Sequence, residues 1–304
     1  MSARHVTLLA ALAAIWGGSY LLIKYALEGF SAAMIVSLRC LLASIVLYAV
    51  LRVTGQASRA WRDVRERPWW ALILSLSAVT APFLLITYGE HVVPSGLTAV
   101  LISPASLFIA LLAPFLLPSE RIDRRQGVGM LLGLAGVILI VGVESVHSLK
   151  EFLGAMAMVG AAFFYGLSSF VVKGKYGNLA AVQTTWISVT LAGLVTLPIG
   201  VATTPGNTPD AGSVAALVAL GVLGTALAFV IYYELIGAVG AGRAALVSYL
   251  APGVALFYGA IFLDEAITVA AIIGLVVILA GVAIASRPKK VAAAAGTPAM
   301  ARAS

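Results

Sequence analysis

Residues 16–24, Trp-Gly-Gly-Ser-Tyr-Leu-Leu-Ile-Lys, and residues 165–173, Tyr-Gly-Leu-Ser-Ser-Phe-Val-Val-Lys, share one pattern at an offset of 149. An aromatic residue precedes glycine, serine follows two positions later, and lysine closes the run (Trp16-Gly17, Ser19, Lys24; Tyr165-Gly166, Ser168, Lys173). Further landmarks recur in the same order. Pro104 is matched by Pro252, and Glu120, Gly129, Gly136 and Val137 by Glu265, Gly274, Gly281 and Val282. The chain therefore reads as one unit written twice, with residues 1–147 forming the first repeat, 148–286 the second, and 287–304 a disordered tail.

Working outward, the surrounding composition sets the medium. Of 304 residues, 62% are hydrophobic and only 10% charged, with a mean hydropathy of +1.06. Soluble domains carry about 25% charged residues, so most of this surface faces something other than water. Ten segments approach the roughly 20 apolar residues a bilayer crossing needs. They are 6–26, 31–53, 68–88, 94–117, 126–143, 152–172, 180–201, 213–235, 241–263 and 267–286. Backbone groups cannot stay unpaired in hydrocarbon, which makes these segments helices. The expected fold is an all-α polytopic membrane protein of ten transmembrane helices. Five helices per unit is an odd number, so the two repeats must be inverted relative to each other. Inverted repeats around a midplane site are a secondary-transporter architecture.

Charge placement orients the chain. With both termini cytoplasmic, 16 of the 19 basic residues fall in inside segments, including Arg52, Arg59, Arg62, Arg65, Arg67, Arg121, Arg124 and Arg125. That is the positive-inside signature of a bacterial inner (plasma) membrane protein. The net charge of +7 is thereby explained without nucleic acid as a partner. The first segment is too long for a signal-peptide core and lacks a convincing cleavage site, so it is expected to be retained. A lone Cys40 and histidines confined to segment ends (His5, His91, His147) supply no metal set, and no cofactor is expected.

Glycines at helix-packing spacing (Gly129, Gly133, Gly136; Gly274, Gly281) place segments five and ten at a scaffold or dimer contact, in a monomer or homodimer. Pro82, Pro104, Pro114 and Pro252 lie inside segments, where each removes a backbone hydrogen bond; Pro104 and Pro252 are expected to kink equivalent helices.

The Trp16-Gly17 pair, Ser103-Pro104, Pro118-Ser119-Glu120-Arg121 and Gly129…Gly136 resemble the EamA family of the drug/metabolite transporter superfamily. In the second half Ala251-Pro252, Leu263-Asp264-Glu265 and Gly274…Gly281 repeat those marks. The resemblance spans about residues 6–286. It implies a ten-helix bundle with a central cavity, whose relatives move amino acids and other small metabolites, often outward. Many members resemble one another in a glutamate before the second-half proline; Ala251 stands there in this chain.

Depth along the segments selects the candidate substrate-binding residues: Trp16, Ser19, Tyr20, Thr80, Ser103, Tyr165, Ser168, Phe229 and Tyr249, with Ser106 and Thr225 at similar depth. Hydroxyls hydrogen-bond a polar ligand without a fixed buried charge, and aromatic faces hold rings, alkyl groups or cations. A small neutral or zwitterionic metabolite fits this set better than a sugar phosphate. Lys24, Arg39, Glu90, His91, Lys173 and Glu234 are gating or ion-pair candidates. Arg39 is expected to pair with Glu28 or Glu90, and Glu234 with Arg243. The lack of a midplane carboxylate favours flux down the metabolite's own gradient over proton coupling. Multidrug or organic-cation efflux is the rival within transport. The first segment, however, lacks the buried glutamate of small multidrug exporters. An intramembrane enzyme would need a His-Glu-x-x-His or Gly-x-Ser-x-Gly run, and neither occurs. A receptor or structural membrane protein is the remaining class.

Overall fold

The computed structural model describes residues 2–116, 124–144, 148–204, 206, 208–244 and 246–285, and among them every regular element is a helix. Eight helices are long and apolar enough to cross a membrane: Ala3–Leu27, Ala32–Val53, Pro68–Gly89, Ser95–Leu116, Arg124–Gly142, Leu149–Tyr176, Ala181–Ala202 and Ala211–Val239. Two shorter apolar helices follow, Val247–Phe262 and Val269–Ala285. These ten are called helices one to ten below. Helix nine is shorter than the 241–263 expected from sequence. Ala241–Ala244 forms a separate turn behind Gly240, whose positive φ of 85° ends helix eight. Between helices two and three the basic stretch is itself helical, Ala57–Glu66, where a plain connection was expected. The expected tail 287–304, Glu120 and His147 lie outside the described residues.

Close approach at glycine organises the packing. A β-carbon on Gly17 would lie 2.8 Å from Val254 Cβ and 2.9 Å from the Ala251 carbonyl, so helix one lies directly on helix nine. The sequence mate Gly166 sits the same way on helix four, 2.7 Å from Phe108 Cβ. Helices five and ten meet reciprocally: a β-carbon on Gly129 would reach the Gly281 carbonyl at 2.5 Å, and one on Gly281 the Gly129 carbonyl at 2.5 Å. Helices two and seven pair through Gly193 and Gly200, reinforced by Ser37 donating to the Gly193 carbonyl (2.9 Å). Each of these pairs has its counterpart when the two halves are exchanged. The opposite faces of helices five and ten carry bare leucine and isoleucine, Leu131 at 70% and Ile138 at 61% exposure, as lipid contact requires.

Three helices depart from α-geometry. Leu76–Thr80 in helix three, Val172–Tyr176 in helix six and Leu220–Leu227 in helix eight are π-helical. Helices three and eight are repeat mates in the sequence register; Thr80 closes the π segment of helix three, and Thr225 lies within that of helix eight. The prolines are less symmetric than expected. At Ser103-Pro104 helix four breaks into Ser95–Ile102 and Ala105–Leu116, whereas helix nine runs unbroken through Pro252. The first half of helix four packs on helix nine, and the second half on helix six.

Contacts between helix ends respect a single alternation of crossings. On one face Tyr25 donates to the Phe262 carbonyl (3.1 Å) and Thr203 to Ser31 (2.9 Å). On the other, Arg59 reaches the Asn178 carbonyl (2.8 Å) and Arg67 the Lys175 carbonyl (2.9 Å). Helices two, six and eight start at Ser31, Ser148 and Asp210, whose side chains accept from Met34, Glu151 and Ser213 backbone N–H groups. The Ser213 N–H bond holds the Asp210 carboxyl below its ordinary range. Gly281→Val is expected to lower thermal stability in detergent by about 1–3 kcal/mol. An unchanged melting midpoint would show that helices five and ten do not meet there.

Candidate functional site

Arg39 organises the centre. It leaves helix two, is 5% exposed, and donates through Nε (3.3 Å) and Nη2 (3.1 Å) to Thr225 Oγ1 in helix eight. The guanidinium lies 4.2 Å from the centre of the Phe83 ring in helix three. Thr225 can hold it because of the π segment. There the Thr225 hydroxyl donates to the Leu220 carbonyl five residues earlier (2.9 Å), and its lone pairs then face the arginine. Tyr20 and Tyr165 are electrostatic neighbours of the guanidinium, as is the Glu90 carboxyl. The expected ion pair with Glu28 or Glu90 is not formed. Arg39 therefore sits among the expected substrate residues as an unpaired cation, and the centre is not the uncharged surface read from the sequence. The long side chain is the reason: it starts on helix two, outside the candidate set, and reaches across to helix eight.

A second group is aromatic. Trp16 meets Phe229 edge-on at 5.9 Å and Tyr232 at 5.2 Å, and Phe229 stacks on Tyr233 at 5.9 Å. The Tyr233 hydroxyl bonds the Thr185 hydroxyl of helix seven. Trp16 and Phe229, both candidates, thus come together. Tyr232 and Tyr233, which were not among the candidates, join them.

The hydroxyl candidates mostly turn inward on their own helices. Ser19 donates to the Ile15 carbonyl (2.9 Å), Ser103 to Val100 (2.7 Å) and Ser168 to Tyr165 (2.9 Å). Each still has acceptor lone pairs, and Ser19 faces helix eight at Gly224. Thr80 bonds Ser75 (3.3 Å), which donates to the Ser188 carbonyl and ties helix three to helix seven. Tyr249 is half-buried near the start of helix nine and packs against the same apolar cluster as Tyr20 and Tyr165.

At the helix ends the charged candidates separate. Lys24 Nζ donates to the main-chain carbonyl of Glu90 at 2.5 Å, whereas its sequence mate Lys173 is exposed. Glu90 has no exposed surface, and neither carboxylate oxygen has a hydrogen-bond partner within the protein; His91 beside it is exposed. Glu234 pairs with Arg4 at 2.5 Å and not with Arg243, because the start of helix one lies beside helix eight. Glu265, read only as a repeat landmark, has a definite role. Its carboxylate accepts from the backbone N–H groups of Ser95 (2.7 Å) and Gly96 (3.1 Å) and from Ser95 Oγ (2.9 Å). It caps helix four from the connection after helix nine. The bare Pro94-Ser95-Gly96 start of helix four was the available signal for such a partner. Among the described residues no cluster of three metal-ligating side chains occurs.

A polytopic helical protein with paired halves, a buried cationic centre and an adjoining aromatic cluster has the build of a membrane transporter for small solutes. The sequence profile of the EamA-like transporter family matches residues 4–142 and again 152–287, and the chain belongs to that family. An uncharacterized transporter of Archaeoglobus fulgidus is 27% identical over 92% of this chain and 98% of its own length. A probable terminal-alkyne amino-acid exporter of Streptantibioticus cattleyicolor is 26% identical, covering 90% of each chain. A probable amino-acid metabolite efflux pump of Escherichia coli is 24% identical over 92% of this chain and 94% of its own. One solved crystal structure superposes with a TM-score of 0.66 at 18% identity, covering 94% of this chain and 98% of the other, which establishes the shared fold. The chain is an integral membrane protein of transporter type, and its relatives indicate a carrier rather than an enzyme.

Thr225→Val keeps the shape of residue 225 and removes the hydroxyl that joins Arg39 to Leu220. A loss of about 1.5–3 kcal/mol in stability is expected. Thermal unfolding of the purified variant measures it; an unshifted midpoint would remove Thr225 as the support of Arg39.

Proposed function

We propose that this protein exports a small zwitterionic metabolite, most simply an amino acid or a close derivative, across the inner membrane by alternating access. The observation that carries the reading is the buried Arg39 guanidinium, free of any carboxylate partner, beside Tyr20, Tyr165 and Phe83. A substrate carboxylate supplies the missing anion, and charge-assisted bonds to arginine are the stronger kind. Trp16 and Phe229 offer apolar surface to the remainder of the substrate. The exporters named among the relatives support the same class. A fixed cation at the centre disfavours organic-cation efflux, since a cationic drug would be repelled.

The mechanism we infer is rocking of two inverted repeats, residues 1–147 and 148–286, about this centre. Glycine-based contacts at Gly17 and Gly166 let helices one and six slide on helices nine and four as paired units. Lys24, the Glu265 cap and the Tyr25–Phe262 bond close one end of the bundle, with both chain termini on the opposite, cytoplasmic face. Proteoliposomes loaded with radiolabelled amino acids test the reading, which expects saturable efflux. Arg39→Leu is expected to lower efflux at least tenfold, with membrane insertion retained. Trp16→Ala is expected to lower it less, by raising the half-saturating concentration. Efflux unchanged in Arg39→Leu would overturn the assignment.

Glu90 favours a second reading of the driving force. Among the described residues no carboxylate lies at mid-depth, which fits flux down the metabolite's own gradient, yet Glu90 is wholly buried without a hydrogen-bond donor. A buried carboxylate in that state is costly when ionised and comfortable as the acid. An imposed pH gradient that leaves efflux unaltered supports the uncoupled carrier. Acceleration that disappears in Glu90→Gln supports proton coupling.

A further inference from the structure

The linking helix Ala57–Glu66 carries a cleft that the transport site does not use. It is an open surface hollow lined by Ser58, Trp61, Arg62 and Arg65. Ser58, Arg62 and Arg65 stand at i, i+4 and i+7, one stripe of the helix, with the Trp61 ring beside them. Both arginines are exposed and make neither ion pair nor hydrogen bond, although Asp63 and Glu66 are on the same short helix. Asp63 is turned to the interior at 8% exposure, away from the stripe. The flanking cations are already committed: Arg59 and Arg67 hold the Asn178 and Lys175 carbonyls, and the Lys175 ammonium lies 4.4 Å over the Trp70 ring. These links fix the linking helix across the ends of helices two, three, six and seven. Trp61 wedges edge-on against Trp186 at 5.1 Å and keeps the helix from rolling.

Depth follows from the neighbours. The helix sits between the end of helix two at Val53 and the start of helix three at Pro68, so it lies where chain leaves the apolar layer. Trp69, 75% exposed, and Trp70 mark that level, as interfacial tryptophans do. Two unsatisfied guanidinium groups, a serine hydroxyl and an indole face thus meet at headgroup depth. We propose that this cleft binds the phosphate of an anionic phospholipid, with Arg62 and Arg65 on the phosphate oxygens, Ser58 donating a further bond, and acyl chains running down beside Trp69. Guanidinium is suited to this partner because its planar fork pairs two phosphate oxygens at once. A zwitterionic headgroup brings its own ammonium into the same cationic cleft and is the weaker ligand. The bound lipid brackets the connection between helices two and three, and so steadies the frame that carries Arg39 and Phe83.

Native mass spectrometry of the full-length protein, released from nanodiscs of mixed phosphatidylglycerol and phosphatidylcholine, tests the assignment without reference to any transported solute. Retention of phosphatidylglycerol over phosphatidylcholine is expected in the natural sequence. Arg62→Gln/Arg65→Gln is expected to bind phosphatidylglycerol about thirtyfold more weakly, at about 1 kcal/mol for each of the two basic residues near an anionic surface. Arg124→Gln/Arg125→Gln, an equal loss of charge outside the cleft, is the control and should retain the lipid. Equal loss in both double variants would reduce the effect to general basicity and overturn the site. So would equal retention of the two lipids, or displacement of phosphatidylglycerol by millimolar inorganic phosphate, which would mark a soluble-anion site. The substitutions are on an exposed face; should they nonetheless impair folding, Arg62→Lys/Arg65→Lys keeps the charge and removes the planar fork, and undiminished retention of phosphatidylglycerol in that variant would overturn the site.

Discussion

Every peptide group in this bundle has to find its hydrogen-bond partner inside its own helix, because the surrounding hydrocarbon offers none. The rest of the architecture is a set of responses to that constraint. Helices can add little through further backbone bonding, so they associate by close packing, and glycine sets how close. Gly17 on helix nine, Gly166 on helix four and the reciprocal Gly129–Gly281 contact all rest on the absence of a side chain. Elsewhere side chains add to it: Thr225 donates to the Leu220 carbonyl within a π segment, and Ser75 bridges from helix three to the Ser188 carbonyl.

The same constraint places the polar chemistry. A hydroxyl that donates to a carbonyl of its own helix keeps lone pairs that can accept from a cation. Arg39 exploits this. Its charge would be expensive in an apolar interior, and it is moderated by the Thr225 oxygen and by the electron-rich Phe83 face. What remains is a positively charged centre with the tyrosines of both halves near it. Family membership makes such a protein a transporter, and under the function proposed above the central charge would hold the anionic end of a zwitterion.

Symmetry in the sequence is realised unevenly in space. Gly17 and Gly166 play the same part, but Lys24 is tied to the Glu90 carbonyl while Lys173 is exposed. Pro104 breaks its helix and Pro252 does not. Glu90 directly follows helix three and Glu234 lies in the last turns of helix eight, yet one is buried and unpartnered and the other is an exposed partner of Arg4.

Hydropathy and glycine spacing, which depend only on neighbours along the chain, determined the class: a helical membrane protein in two matching halves, with helix limits within a few residues for most elements. The candidates Trp16, Phe229, Tyr20 and Tyr165 were legible because repeat position and depth are linear properties. Other features were decided only by the tertiary structure. Arg39 reaches Thr225 across 186 residues, Glu265 caps a helix that begins 170 residues earlier, and Arg4, not Arg243, answers Glu234. Long side chains choose partners by distance in space, and a burial such as that of Glu90 is set by whichever helix ends pack around it. Neither is written in the order of residues.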